Sequence, residues 1–169
     1  MPSFNSLACP FGVLAIACAA QAAPISKECD MKLRLDVPTA VDLEVIPIGW
    51  DPRRPQFVNW DASRMQFKPL TRRLNLKSGV GDVQAKFGST DDPRLTHADD
   101  EEAFYVLGVK VEDKNIGTES VVVVARADAK DGKDVSLTVT PVPNGKMANG
   151  PRSGYYSSEF PLVFETVIE

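Results

Sequence analysis

Cys29-Asp30-Met31-Lys32-Leu33-Arg34-Leu35-Asp36-Val37-Pro38 is the stretch on which the reading of the fold turns. Met31, Leu33, Leu35 and Val37 are apolar, and Lys32, Arg34 and Asp36 between them are charged. A period of two gives one buried and one wet face, which is the pattern of a half-buried β-strand. One step back, Cys29 joins the apolar side and Asp30 the charged side, so the strand runs for about nine residues before Pro38 withholds a backbone donor and ends it. The stretch lies at the start of the mature chain if a leader is removed, so no earlier strand of the same molecule precedes it. Two readings stay open from pattern alone. It is the first edge strand of a β-sandwich folding onto its own chain, or a donor strand that leaves its own subunit and completes the sheet of the next.

The leader is residues 1–22. Residues 7–20 carry no charge, and Ala20-Gln21-Ala22 offers the small side chains that suit signal peptidase, so export is expected. A transmembrane helix needs about 20 apolar residues, and Pro10 and Gly12 interrupt this run. The sequence Leu14-Ala15-Ile16-Ala17-Cys18 loosely resembles a lipoprotein acylation site, which leaves lipidation at Cys18 open. Residues 23–169 suffice for one domain with a proper core. Of the three cysteines, Cys9 and Cys18 leave with the leader, so Cys29 has no partner in the mature chain and a disulfide framework is excluded. The formal charge of -4 argues against a nucleic-acid footprint, and Arg53-Arg54 and Arg72-Arg73 are isolated pairs rather than a stripe.

Further strands are expected at about 40–46, at 65–68, 73–77 and 83–87, each alternating over a few positions. Trp50-Asp51-Pro52-Arg53-Arg54-Pro55 is a loop, because two prolines so close prevent a ladder. Residues 89–102 are polar and acidic and read as a solvated connection. Two β-branched runs, 104–112 and 119–127, read as a hairpin around Lys114-Asn115-Ile116-Gly117, with Val121 to Val124 as a central strand covered on both faces. Lys130-Asp131-Gly132-Lys133 is a turn into an alternating strand from Val135 to Val139, residues 144–154 are a loop, and Tyr156 to Ile168 is the last strand. On that strand Tyr156, Ser158, Phe160, Leu162, Phe164, Thr166 and Ile168 share one face. No segment keeps a 3.6-residue apolar period, whereas roughly eight strands recur every 8 to 15 residues. An all-β sandwich of immunoglobulin-like size follows, without the cysteine pair of antibody domains.

Candidate chemistry is sparse. His97, the one histidine, beside Asp99 and Asp100, reads as a surface-loop residue; a metal site would need ligands from elsewhere, and no G-x-S-x-G elbow accompanies it for a hydrolytic triad. Neither catalytic residues nor a cofactor is expected. Residues 128–134 look like a calcium loop at a glance, but Lys130 and Gly132 stand where ligating oxygens belong. Trp50 and Trp60 flank the arginine loop and read as packing at a sandwich end, with sugar stacking the lesser reading. Cys29 reads as a small buried hydrophobe.

The first and last strands together resemble those of the major pilins of colonisation-factor fimbriae (the coli-surface-antigen, class 5 type of the alternate chaperone-usher pathway). The residues that carry the resemblance are Met31-Lys32-Leu33-Arg34-Leu35-Asp36-Val37-Pro38 running into Ala40-Val41-Asp42-Leu43, and Gly154-Tyr155-Tyr156-Ser157-Ser158-Glu159-Phe160-Pro161-Leu162-Val163-Phe164. The region 95–112 is similar more loosely. Departures are Cys29, Pro161 inside the last strand, and the continuation past Phe164 to Glu169. The resemblance implies an immunoglobulin-like β-sandwich lacking its final strand, completed by donor-strand exchange, with residues 23–38 as the donor extension and 39–169 as the pilin domain. It makes Cys29, Met31, Leu33, Leu35 and Val37 the donor knobs and Phe160, Leu162 and Phe164 part of the acceptor groove. The partners it implies are neighbouring subunits in a homopolymer, a periplasmic chaperone, an outer-membrane usher, a tip adhesin and a host-surface receptor, and the place it implies is an extracellular fimbrium. The competing function is a monomeric immunoglobulin-like binding module of the periplasm or cell surface, with the Trp50 to Trp60 loop as its ligand site.

Overall fold

A computed structural model describes residues 29–36, 42–144 and 152–168. The strands are β1 Cys29–Asp36, β2 Leu43–Ile48, β3 Gln56–Phe57, β4 Trp60–Asp61, β5 Gln66–Phe67, β6 Leu70–Ser78, β7 Gly81–Phe87, β8 Arg94–His97, β9 Asp100–Val111, β10 Lys114–Ile116, β11 Val121–Val124, β12 Lys133–Pro143 and β13 Tyr156–Ile168. One helical turn, α1 Arg126–Ala129, interrupts them. The leader, Val37 and the start of the strand expected at 40 lie outside the described residues.

β2, β6, β12 and β9 form an antiparallel layer, with β10 folded back on β9. The other layer is built on β13, which pairs along one edge with β7 and, at Tyr156 and Ser157, with β8. β8 also pairs with β9, so this short strand turns the corner between the layers. Inward residues alternate along each long strand, as in β12, where Val135, Leu137 and Val139 are buried. Across the core the rings of Tyr105 on β9 and Tyr156 on β13 meet edge to face at 5.5 Å, and Phe67 packs against both. The fold is therefore the expected all-β, immunoglobulin-like sandwich.

Three local readings are corrected. The acidic segment 89–102 contains β8 and the start of β9: Leu95 and His97 are buried, and a tight turn at Ala98 and Asp99 is all that separates the two strands. The hairpin partner of β9 is the three-residue β10; after Gly117, whose carbonyl accepts from Phe87 N–H at 2.7 Å, the chain crosses to β7. β11 is consequently an edge strand rather than a central one, and Val122 stands 40% exposed. His97 is the third, taken up below. The strand expected at 40–46 is β2 at Leu43–Ile48, also an edge, where Pro47 costs no ladder bond on its open side.

Candidate functional site

The site is the groove beside β13. Residues Tyr156, Ser157, Leu162 and Val163 pair with β8 or β7 on one edge and with β1 on the other, so β1 occupies the opposite edge of β13. β1 runs parallel to β13 in an unbroken register from Cys29 opposite Tyr156 to Asp36 opposite Val163. On its far side, among the described residues, β1 pairs with β3, through Asp30 with Phe57 and Met31 with Gln56. No hairpin ties β1 to either neighbour.

The alternation decides which side chains enter. Met31 is 0% exposed and Leu33 3%, while Leu35 is half-buried against the same core and Lys32 and Arg34 point outward. Leu33 lies opposite Phe160 and Leu35 opposite Leu162, so two of the three predicted groove residues meet predicted knobs in register. Phe164 is fully buried but pairs with Ala85, one residue beyond the end of the β1 ladder. The backbone of Cys29 takes its place opposite Tyr156, and Val37 lies outside the described residues. Tyr156 and Ser158, which share the inward face of β13, complete the groove floor opposite Cys29 and Met31.

Pro161 fits because of the edge it faces. Its carbonyl accepts from Gly88 N–H at 3.0 Å, on the β7 side, and the N–H and C=O of one strand residue point the same way. The missing donor therefore falls where β7 has ended and β8 has not begun, and the ladder toward β1 loses nothing. A side chain at Gly88 would press on the Pro161 ring at 3.0 Å, so glycine permits this close approach.

Sequence reading missed the wall that β3 adds. Gln56 is buried and knots the proline loop beside Met31: its amide donates to the carbonyls of Asp51 and Arg54, each at 2.9 Å, and its oxygen accepts from Arg72 Nε at 2.8 Å. A lone glutamine between loop prolines carries no periodic signal. Beyond Met31 the outer edge of β1 is open toward β2, leaving a recess of about 400 Å³ between Leu33 and Leu35 on one side and Val45 and Pro47 on the other. Trp50 and Trp60 are structural: the Trp50 indole donates to Arg73 O at 2.8 Å, and Trp60 packs edge-on to Phe67 at 5.1 Å.

His97 is buried at the mouth of the groove rather than on the surface, with its ring 4.9 Å from that of Tyr156. Asp99 N–H donates to Nδ1 at 3.1 Å, which leaves Nε2 to donate to Ser153 O at 3.1 Å. Gly154 follows at φ +146, and a Cβ there would sit 2.2 Å from Nε2. Histidine and glycine thus fix the entry into β13. Tyr156 O–H donates to Arg152 O at 3.0 Å, and burial pushes its phenol up from the ordinary value. At the other end of β13, the Ser120 hydroxyl and, after it, Lys86 at 2.9 Å hold Glu165 below the usual carboxylate range. Among the described residues no group of His, Cys, Asp and Glu is placed to hold a metal. What the arrangement provides is an apolar, hydrogen-bonding slot for one extended strand.

A family model, the CS1 type fimbrial major subunit, matches residues 27–165. Among solved structures, the CooA pilin subunit from enterotoxigenic Escherichia coli is similar at 11% identity with a TM-score of 0.45, over 66% of this chain and 88% of that one. No curated protein matches the sequence. Matched over most of its length, including both strands of the groove, the chain belongs to the CS1 type fimbrial major subunit family and is a structural pilin that assembles with other pilin subunits into a surface fimbria.

Proposed function

We propose that this pilin polymerises head to tail by donor-strand exchange. Residues 23–38 of one subunit, with Cys29, Met31, Leu33, Leu35 and Val37 as knobs, enter the groove of the next over Phe160, Leu162 and Phe164. A periplasmic chaperone fills the groove first, an outer-membrane usher of a Gram-negative bacterium receives the subunit, and the finished shaft carries a tip adhesin toward a host-surface receptor. The interface is heterologous and open, so it propagates a helical fibre instead of closing a ring. The observation that carries this reading is that β1 completes the sandwich through backbone pairing and alternate side chains alone, with no hairpin to the strand it covers. A strand so attached is replaceable by the same strand from another molecule.

The test moves the strand to the other end of the chain. In a variant beginning at Thr39, with residues 29–37 appended after Glu169, Cys29 must return from Ile168 to the level of Tyr156, about 40 Å at about 3.3 Å per residue, so a flexible linker of about 16 residues is needed. Tethering raises the strand's effective concentration to about millimolar. The expected product is a soluble monomer that melts well above the same truncation without the appended strand and does not form fibres. Should the appended strand change neither melting temperature nor oligomeric state, residues 29–37 are not the complement of this groove.

A further inference from the structure

The free subunit has a use for β1 before any neighbour arrives. In the structure the groove is closed in cis, by eight consecutive residues of the same chain paired in parallel with β13. The closure buries Met31 and Leu33 and leaves Leu35 half-buried. It is incomplete in the polar sense. Ser158, opposite Met31, is 9% exposed, and its hydroxyl has no hydrogen-bond partner. A buried hydroxyl without a partner keeps its full desolvation penalty, so the cis strand fits the groove at a standing cost. On the outer edge of β1, among the described residues, the strand pairing with β3 is confined to Asp30 and Met31, and Leu33 and Leu35 line the recess before β2.

We propose that the free pilin is a self-closed, assembly-latent monomer in which β1 occupies its own groove, and that the unpartnered Ser158 hydroxyl keeps this closure exchangeable. Latency follows from occupancy: while β1 is in cis it can neither cap a neighbour nor leave the groove open to one. The inference rests on the donor-strand reading for its second half only. Closure in cis stands or falls by itself.

The test uses the outward pair Lys32 and Glu159, directly opposite in register and exposed. Adjacent strands lie about 4.8 Å apart, within the Cα separation that a disulfide spans. Lys32→Cys with Glu159→Cys, in a Cys29→Ser background, is oxidised in dilute solution as the purified monomer. An intramolecular disulfide, seen as a monomer on a non-reducing gel, with fibre growth arrested until reductant is added, is the expected result. If the freshly purified monomer forms only intermolecular disulfides, closure in cis is wrong, while growth of the reduced protein would leave the donor-strand reading intact. If the locked monomer polymerises as fast as the reduced one, cis closure exists but confers no latency, and the donor-strand reading fails with it. A second variant needs no cross-link: Ser158→Ala should slow tryptic cleavage after Lys32 and Arg34 about tenfold, because it removes the penalty that opens the strand. Unchanged or faster cleavage overturns the role given to Ser158.

Discussion

Leu33→Ala and Arg34→Ser are neighbouring changes for which the groove predicts opposite outcomes. Leu33 is 3% exposed, opposite Phe160, while Arg34 lies on the outward face. Truncating a buried leucine costs about 2–5 kcal/mol, with the spread set by how far the site collapses. Leu33 also lines the recess before β2, so part of its surroundings is already open and the lower end applies, about 2–3 kcal/mol. For a domain of this size that is a fall of roughly 5–10 °C in melting temperature. Arg34→Ser should stay within about 0.5 kcal/mol, as exposed positions usually do. Thermal unfolding of the purified monomers reads both, and fibre yield should follow the same order, since the inward face of the strand fills a groove whichever molecule supplies it. Equal losses from the two substitutions would show that Leu33 is not seated against Phe160, and the reasoning about the groove would go with it.

Gly81→Ala should prevent folding or assembly, because a Cβ there would stand 1.6 Å from the Val167 carbonyl, where backbone meets backbone and nothing can yield; a soluble variant with native circular dichroism would contradict the β7–β13 register. Glu165→Gln should cost about 0.5–1 kcal/mol at neutral pH and nothing in acid. The folded-state carboxyl is held down by Ser120 and Lys86, so its contribution is present above the ordinary glutamate value and disappears as pH falls through the lowered one. Denaturant titrations at pH 7 and pH 3 check this, and a deficit that persists in acid would assign the loss to packing instead. Phe160→Ala should cost about 3–5 kcal/mol in the same titrations, as a buried ring facing Leu33 and edge-on to Phe87 at 6.2 Å.

Both strands of the site were legible because each alternates over its whole length, and a period of two survives any choice of partner. That same symmetry hides the partner and the direction. Alternation in Met31 to Val37 is indifferent to whether the strand runs parallel or antiparallel to β13, so the parallel register and its occupation in cis had to come from three dimensions. Val121 to Val124 failed for a related reason: a run of β-branched residues reads alike at the centre or at the edge of a sheet, and the deciding event is the crossover after Gly117. β8 was lost because four residues beside an acidic turn carry too short a pattern, and with it the burial of His97, whose ring is satisfied by two backbone groups that composition does not announce. Pro161, a departure from the family's pattern in sequence, fits because its donor side faces the gap between β7 and β8.

The account stands on the claim that the amino-terminal strand links subunits and is not needed to make one. Electron microscopy of cells exporting the chain without residues 23–37, beside cells exporting the whole chain, tests it most directly. The account predicts that the shortened subunit is exported and recovered with its chaperone while the cells bear no fimbriae. Fibres of normal length from the shortened subunit would contradict it.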